Sequence, residues 1–235
     1  RALQNPISLE AKCDRFQRPV ATSMYDAVIF DNDGVLTYLT EIDVLERAIE
    51  TTFGEFGVAD PPAEDVAALH HLTIDDLEAV AESYGFDPAA FWRRRDRNAA
   101  LAQQAEIRAG RKPAFDDVDV LDGLDVPVGV VSNNQAELVA YVVDYYGLDA
   151  VDVAIGRQPT LSGLRTKKPD PAMIETARSR LGVDEPLYVG DSQSDIVAAD
   201  RAGVDSAFVR RSHRRDAELS TPATHEIEDL RALPE

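Results

Sequence analysis

The chain has 235 residues, enough for one sizeable core or for a core plus a smaller module, and its hydrophobic content of 44% is ordinary for a globular protein. Its 43 acidic against 24 basic residues give a formal net charge of -19, a surface that repels nucleic acid and argues against DNA or RNA as a partner. No apolar run approaches the roughly 18 residues of a membrane span, and the single Cys13 leaves no internal disulfide or cysteine-based zinc cluster, so an intracellular, cytoplasmic setting fits best.

Lysine is scarce: Lys12, Lys112, Lys167 and Lys168 stand against a background of arginine. Acid excess with lysine depletion resembles the composition of proteins from salt-loving microbes, in which concentrated salt screens the repulsion. The plainer alternative is an acidic cytosolic protein.

In chain order, residues 1–23 lack an apolar period and the h-region of a secretory signal, and read as a weakly ordered extension upstream of a natural start at Met24, with Ile7 and Phe16 packing down. The run 27–30, AVIF, reads as a fully buried parallel strand. Asp31 and Asp33 emerge at its carboxyl end, where open α/β sheets bind ligands, and Gly34 lets the chain turn sharply. Two carboxylates so close repel each other unless a divalent cation is shared between them. Alone, the pattern reads equally well as an acidic turn.

From Thr37 to about Ala109 the periodicity is helical. Thr40 is placed to cap a helix with Ile42, Leu45, Ile49, Phe53 and Phe56 near one face and Gly57 as its stop. A short helix is expected over 65–70, another from Thr73 to Gly85, and a longer one opened by Asp87-Pro88 and running to Ile107. No strand-like run interrupts 39–112, so this block reads as an inserted all-helical cap, with 110–113 as the returning hinge. Within it, Arg93, Arg94, Arg95, Arg97, Arg108 and Arg111 read mainly as solvated partners of acidic neighbours, Phe53, Phe56, Phe91 and Trp92 as cap core, and the adjacent His70 and His71 as no metal pair.

Beyond Pro113, strands (126–131, 151–155, 187–189, 206–209) alternate with helices (135–146, one opened by Asp170-Pro171, one ending at Gly203). The alternation predicts an α/β class, a Rossmann-like parallel sheet with helices on both faces. The domain reading is an extension at 1–23, a core of 24–39 with 113–235, and a cap at 40–112.

The strand ends carry the chemistry. Ser132 and Asn133 offer a hydroxyl and backbone N–H groups to a phosphate oxygen, or simply a helix cap. Lys167 and Lys168 read as an ammonium pair able to neutralise a phosphoryl group, or as a solvated loop. Asp191 and Asp195 flank a helix start as caps, or complete a carboxylate cluster with Asp31 and Asp33 that is costly without a cation.

Asp31-x-Asp33-Gly34, Ser132-Asn133, Lys168-Pro169-Asp170-Pro171 and Gly190-Asp191-Ser192-x-x-Asp195, in that order, resemble the motifs of the haloacid dehalogenase (HAD) superfamily, in its phosphoglycolate-phosphatase and phosphomutase-like branch with a helical cap. The resemblance implies a Rossmann-like core and hydrolysis of a small phosphate monoester, a phosphorylated metabolite. It makes Asp31 the nucleophile and Asp33 the general acid and base. Ser132, Asn133 and Lys168 would bind phosphate, and Mg2+ would be held by Asp31, the backbone carbonyl of Asp33 and Asp191, with Asp195 behind them or acting through water. Lys167 is peripheral. True dehalogenases have no acid at the position of Asp33, and phosphonate-cleaving relatives carry a cap lysine that 39–111 lacks. The remaining alternatives are a phosphomutase and a non-enzymatic binding module on the same scaffold, and the oligomeric state stays open.

Overall fold

The computed structural model describes residues 24–70 and 73–234, and the expectations for the 1–23 extension and for His71 lie outside them. At its centre is a six-stranded sheet of order β3-β2-β1-β4-β5-β6, with every neighbouring pair parallel. The strands are β1 (Ala27–Phe30), β2 (Val128–Gln135), β3 (Val151–Arg157), β4 (Pro186–Gly190), β5 (Ser206–Val209) and β6 (His225–Ile227).

The first strand lies in the middle because the chain builds β2 and β3 on one side of it and then crosses back to lay down β4, β5 and β6 on the other. That reversal opens a crevice at the carboxyl ends of β1, β2 and β4. Alternation along β1 sends Val28 and Phe30 into one apolar layer and Ile29 into the other. Ile29 joins Met173, Ile174 and Ala177 of α7 (Ala172–Leu181) and Ala198 and Ala199 of α8 (Gln193–Ala202). The opposite layer takes Val139 of α5 (Ala136–Tyr145) together with Leu121 and Leu230.

Between β1 and β2 the described residues form four α-helices, α1 (Ile42–Glu55), α2 (Ala63–His70), α3 (Ile74–Tyr84) and α4 (Pro88–Arg108). They enclose their own core of Ile49, Phe53, Leu69, Leu77, Phe91 and Trp92. Local signals hold well in this block. Thr73 closes a capping box with Asp76, and Asp87 caps α4 through the Ala90 N–H at 2.6 Å, with Pro88 in its first turn.

Other expectations are corrected. Thr40 caps nothing, since its hydroxyl is drawn to Gln103 Oε1 at 2.8 Å, and Ile42 is 57% exposed while Val44 and Ala48 take the buried face of α1. The second strand spans 128–135 rather than 126–131, so Ser132 and Asn133 lie inside it. A short helix α6 (Leu161–Arg165), capped by Thr160, and the strand β6 were not expected. Among the described residues no helix is long and apolar enough to cross a membrane.

Candidate active site

Asp31 is the first residue past β1, and its backbone N–H donates to Val189 O at 2.8 Å, which locks the end of β1 to β4. Asp191 follows β4 directly, and Asp195 sits in the first turn of α8. Ligand oxygens of Asp31, Asp191 and Asp195 all lie within 4.8 Å of one another, and all three residues are buried.

Lys168 answers this negative cluster from the loop before α7. Its Nζ lies 2.8 Å from Asp31 and 2.6 Å from Asp195, and it donates to Tyr188 Oη at 2.9 Å. Burial alone would lower this ammonium, but the Asp195 and Asp31 carboxylates outweigh it and raise it above the ordinary lysine range. The same crowding raises the Tyr188 phenol, through burial and then Asp195 and Asp31. Asp31 itself is pushed up to about 8: burial dominates, Lys168 offsets part of it, and Asp195 and Asp191 add to it. One buried ammonium therefore does not balance the buried carboxylates. An all-oxygen donor set with excess negative charge fits a hard divalent cation.

Asp195 is anchored rather than free, accepting from Ser192 N at 3.0 Å and Ser192 Oγ at 2.5 Å in the box that caps α8, and from Tyr188 Oη at 3.1 Å. Asp191 Oδ2 lies 2.7 Å from His213 Nε2 and accepts from Arg214 Nε at 3.3 Å. Gly34, at φ +82°, passes so close that an added Cβ would collide with Asp191 Oδ2 and stand 2.9 Å from His213 Nε2.

On the other side of the chain, Ser132 is buried and its Oγ accepts from the Asn134 N–H at 3.2 Å. Asn133 brackets Lys168, accepting its backbone N–H at 2.7 Å and donating to its carbonyl at 3.1 Å. The Asp33 side chain is held by donors of its own. Its Oδ1 takes Lys112 Nζ at 2.8 Å and Asn32 Nδ2 at 2.6 Å, and its Oδ2 takes Asn134 Nδ2 at 2.6 Å. Lys167, expected to be peripheral, is half-buried and lowered from the ordinary lysine range by burial, then by Arg157 and Arg95.

The structure thus gathers Asp31, Lys168, Asp191 and Asp195 and sets Asp33 apart on its own donors. Sequence reasoning missed Lys112, Asn134, Tyr188, His213 and Arg214. Lys112 had a usable signal, as one of very few lysines and the one beside the returning hinge. Tyr188 had none, being indistinguishable from core within PLYVG.

Residues 28–209 match the model of the haloacid dehalogenase-like hydrolases. Among curated proteins, a phosphoglycolate phosphatase of Neisseria meningitidis is 28% identical over 193 residues, covering 75% of this chain and 77% of its own. A 5'-nucleotidase of Pseudomonas aeruginosa is 25% identical over 219 residues, covering 91% and 96%. Among solved structures, CbbY from Rhodobacter sphaeroides in complex with phosphate superposes with a TM-score of 0.65 at 19% identity, over 88% of this chain and 95% of that one.

Proposed function

The chain belongs to the haloacid dehalogenase-like hydrolases, and on that premise we propose that it hydrolyses a small phosphate monoester through an aspartyl-phosphate on Asp31. The observation that carries the reading is the convergence of Asp31, Asp191 and Asp195 around the buried Lys168 ammonium. Relatives named phosphoglycolate phosphatase make 2-phosphoglycolate the first ester to test.

In this reading the Asp31 carboxylate attacks phosphorus and the P–O bond to the alcohol breaks. Lys168, the Ser132 hydroxyl and the backbone N–H of Asn133 hold the phosphoryl oxygens, and the Asn133 side chain keeps Lys168 in register. Asp33 gives its proton to the departing alkoxide and later takes one from the water that cleaves the acyl phosphate. Asp31, Asp191 and the backbone carbonyl of Asp33 would hold Mg2+, with Asp195 behind them, and the bound ion supplies positive charge against the transferring phosphoryl group. Residues 40–112 act as a cap that excludes bulk water and selects the alcohol.

The test is release of inorganic phosphate from a panel of phosphorylated metabolites, with Mg2+ in concentrated KCl and Asp31→Asn as the blank. Release by the wild type alone, abolished by EDTA and restored by Mg2+, is expected. Substantial turnover by Asp31→Asn would remove the nucleophile assignment, and isomerised sugar phosphate in place of free phosphate would make the protein a mutase.

A further inference from the structure

We infer that Lys112 is a positioning residue for Asp33, through which seating of the helical cap on the sheet fixes the orientation of the acid–base carboxylate. The inference rests on the role given to Asp33 above and extends it to a residue outside the family-like motifs.

Lys112 is 1% exposed. A buried ammonium is costly unless it is paired and its remaining protons are bonded. Its Nζ meets that demand with Asp33 Oδ1 at 2.8 Å, Thr40 Oγ1 at 3.0 Å and Gln103 Oε1 at 3.5 Å. These partners have distinct places in the chain: Thr40 lies where it leaves for the helical block, Gln103 is on α4, and Lys112 itself lies where the chain returns. One ammonium thus joins both crossings of the hinge and the long cap helix to a single carboxylate.

The second oxygen of Asp33 is held by the same device. Asn134 Nδ2 donates to Asp33 Oδ2 at 2.6 Å, and Asn134 Oδ1 accepts from Gln103 Nε2 at 3.1 Å. Gln103 therefore touches two of the groups that hold Asp33, Lys112 and Asn134, and it is itself buried. Movement of α4 away from the sheet withdraws Gln103 from both at once. Lys112 then loses its α4 partner and Asn134 its orienting contact, so the two donors that tie Asp33 to the helical cap are loosened, while Asn32 Nδ2 stays on its Oδ1 at 2.6 Å. A general acid must stand within hydrogen-bond reach of the leaving oxygen, and loosening it costs rate without changing phosphoryl binding.

The experiment separates leaving groups. In single turnovers with enzyme in excess, glycolate release from 2-phosphoglycolate needs a proton from Asp33, whereas p-nitrophenolate leaves p-nitrophenyl phosphate without one. Lys112→Met is expected to slow glycolate release by about 100-fold, with KM unchanged and nitrophenolate release close to wild type. Lys112→Arg should recover part of the loss, and Gln103→Leu should show the same selectivity to a smaller degree, which keeps the inference testable if Lys112→Met does not fold. Wild-type glycolate release in Lys112→Met, or equal slowing of both leaving groups in the variants that fold, would overturn the inference alone. Wild-type glycolate release in Asp33→Asn would instead overturn the acid–base assignment beneath it.

Discussion

Arg157, at the end of β3, and Asp96, midway along α4, form a buried bidentate ion pair with nitrogen-to-oxygen distances of 2.6 and 2.8 Å. Gln135 donates to the same carboxylate at 3.0 Å, and the Arg157 guanidinium stacks over the Trp92 ring at 4.6 Å from its centroid. Arg157 also donates to Asn133 O at 3.0 Å, so the pair connects the helical block to the segment that brackets Lys168. Asp96→Ala should cost about 3–5 kcal/mol, because it strands a buried guanidinium. Adding Arg157→Met should return much of that. Denaturant unfolding of the two single variants and the double variant checks the coupling, and a strictly additive double variant would reject it.

The Asp31 carboxyl supplies a pH signature. Its pKa is raised from 3.8 to about 8, with burial the main cause. Between those values the folded protein keeps a proton that the unfolded chain has released, so this group's contribution to stability falls as pH rises through that window. The melting temperature of EDTA-treated wild type, taken relative to Asp31→Asn, should decline from pH 5 to pH 8. A level difference would contradict the shift. By the same logic Mg2+ binding at pH 7 should expel close to one proton, read by calorimetry in buffers of differing ionisation enthalpy.

Much of this arrangement was legible in the sequence because strand ends are written locally. A short apolar run followed at once by Asp31, by Ser132 or by Asp191 announces both the strand and the polar group it presents. What was not legible depends on elements meeting across the fold. Thr40 carries a proper capping side chain, yet Gln103 claims it from 63 residues away. Arg95 sits among arginines that are mostly solvated, as Arg94 with Glu55 and Arg111 with Glu106 show. It is nevertheless buried against Trp92, and burial, partly offset by Asp96, pushes it down to about 10. The strand β6 is only His225–Ile227, with too few apolar residues to make a pattern.

Gly34→Ala should be far more damaging than an ordinary turn substitution. The left-handed backbone alone costs about 1–3 kcal/mol with a side chain, and the new methyl group would displace the Asp191 carboxylate. Mg2+ affinity should fall by about tenfold or more. Calorimetric titration of the folded variant checks this, and unchanged affinity would show that Asp191 does not hold the ion.

The charge of -19 makes salt a structural variable. If self-repulsion limits stability, the melting temperature should climb steeply from dilute to molar KCl as the charges are screened. A flat curve would dismiss the salt-adapted reading of the composition.

The central place of β1 also sets an order of assembly. Val28 pairs with Val128 on one side and with Leu187 on the other, so β1, the first of the described strands, gains its second neighbour only once the chain has been made as far as β4. The helical insert has no such wait, since α1 to α4 are consecutive and α1 packs directly on α4. During synthesis the helical block can consolidate through contacts among its own consecutive helices before β4 exists, whereas β1 must close a long loop to reach that strand.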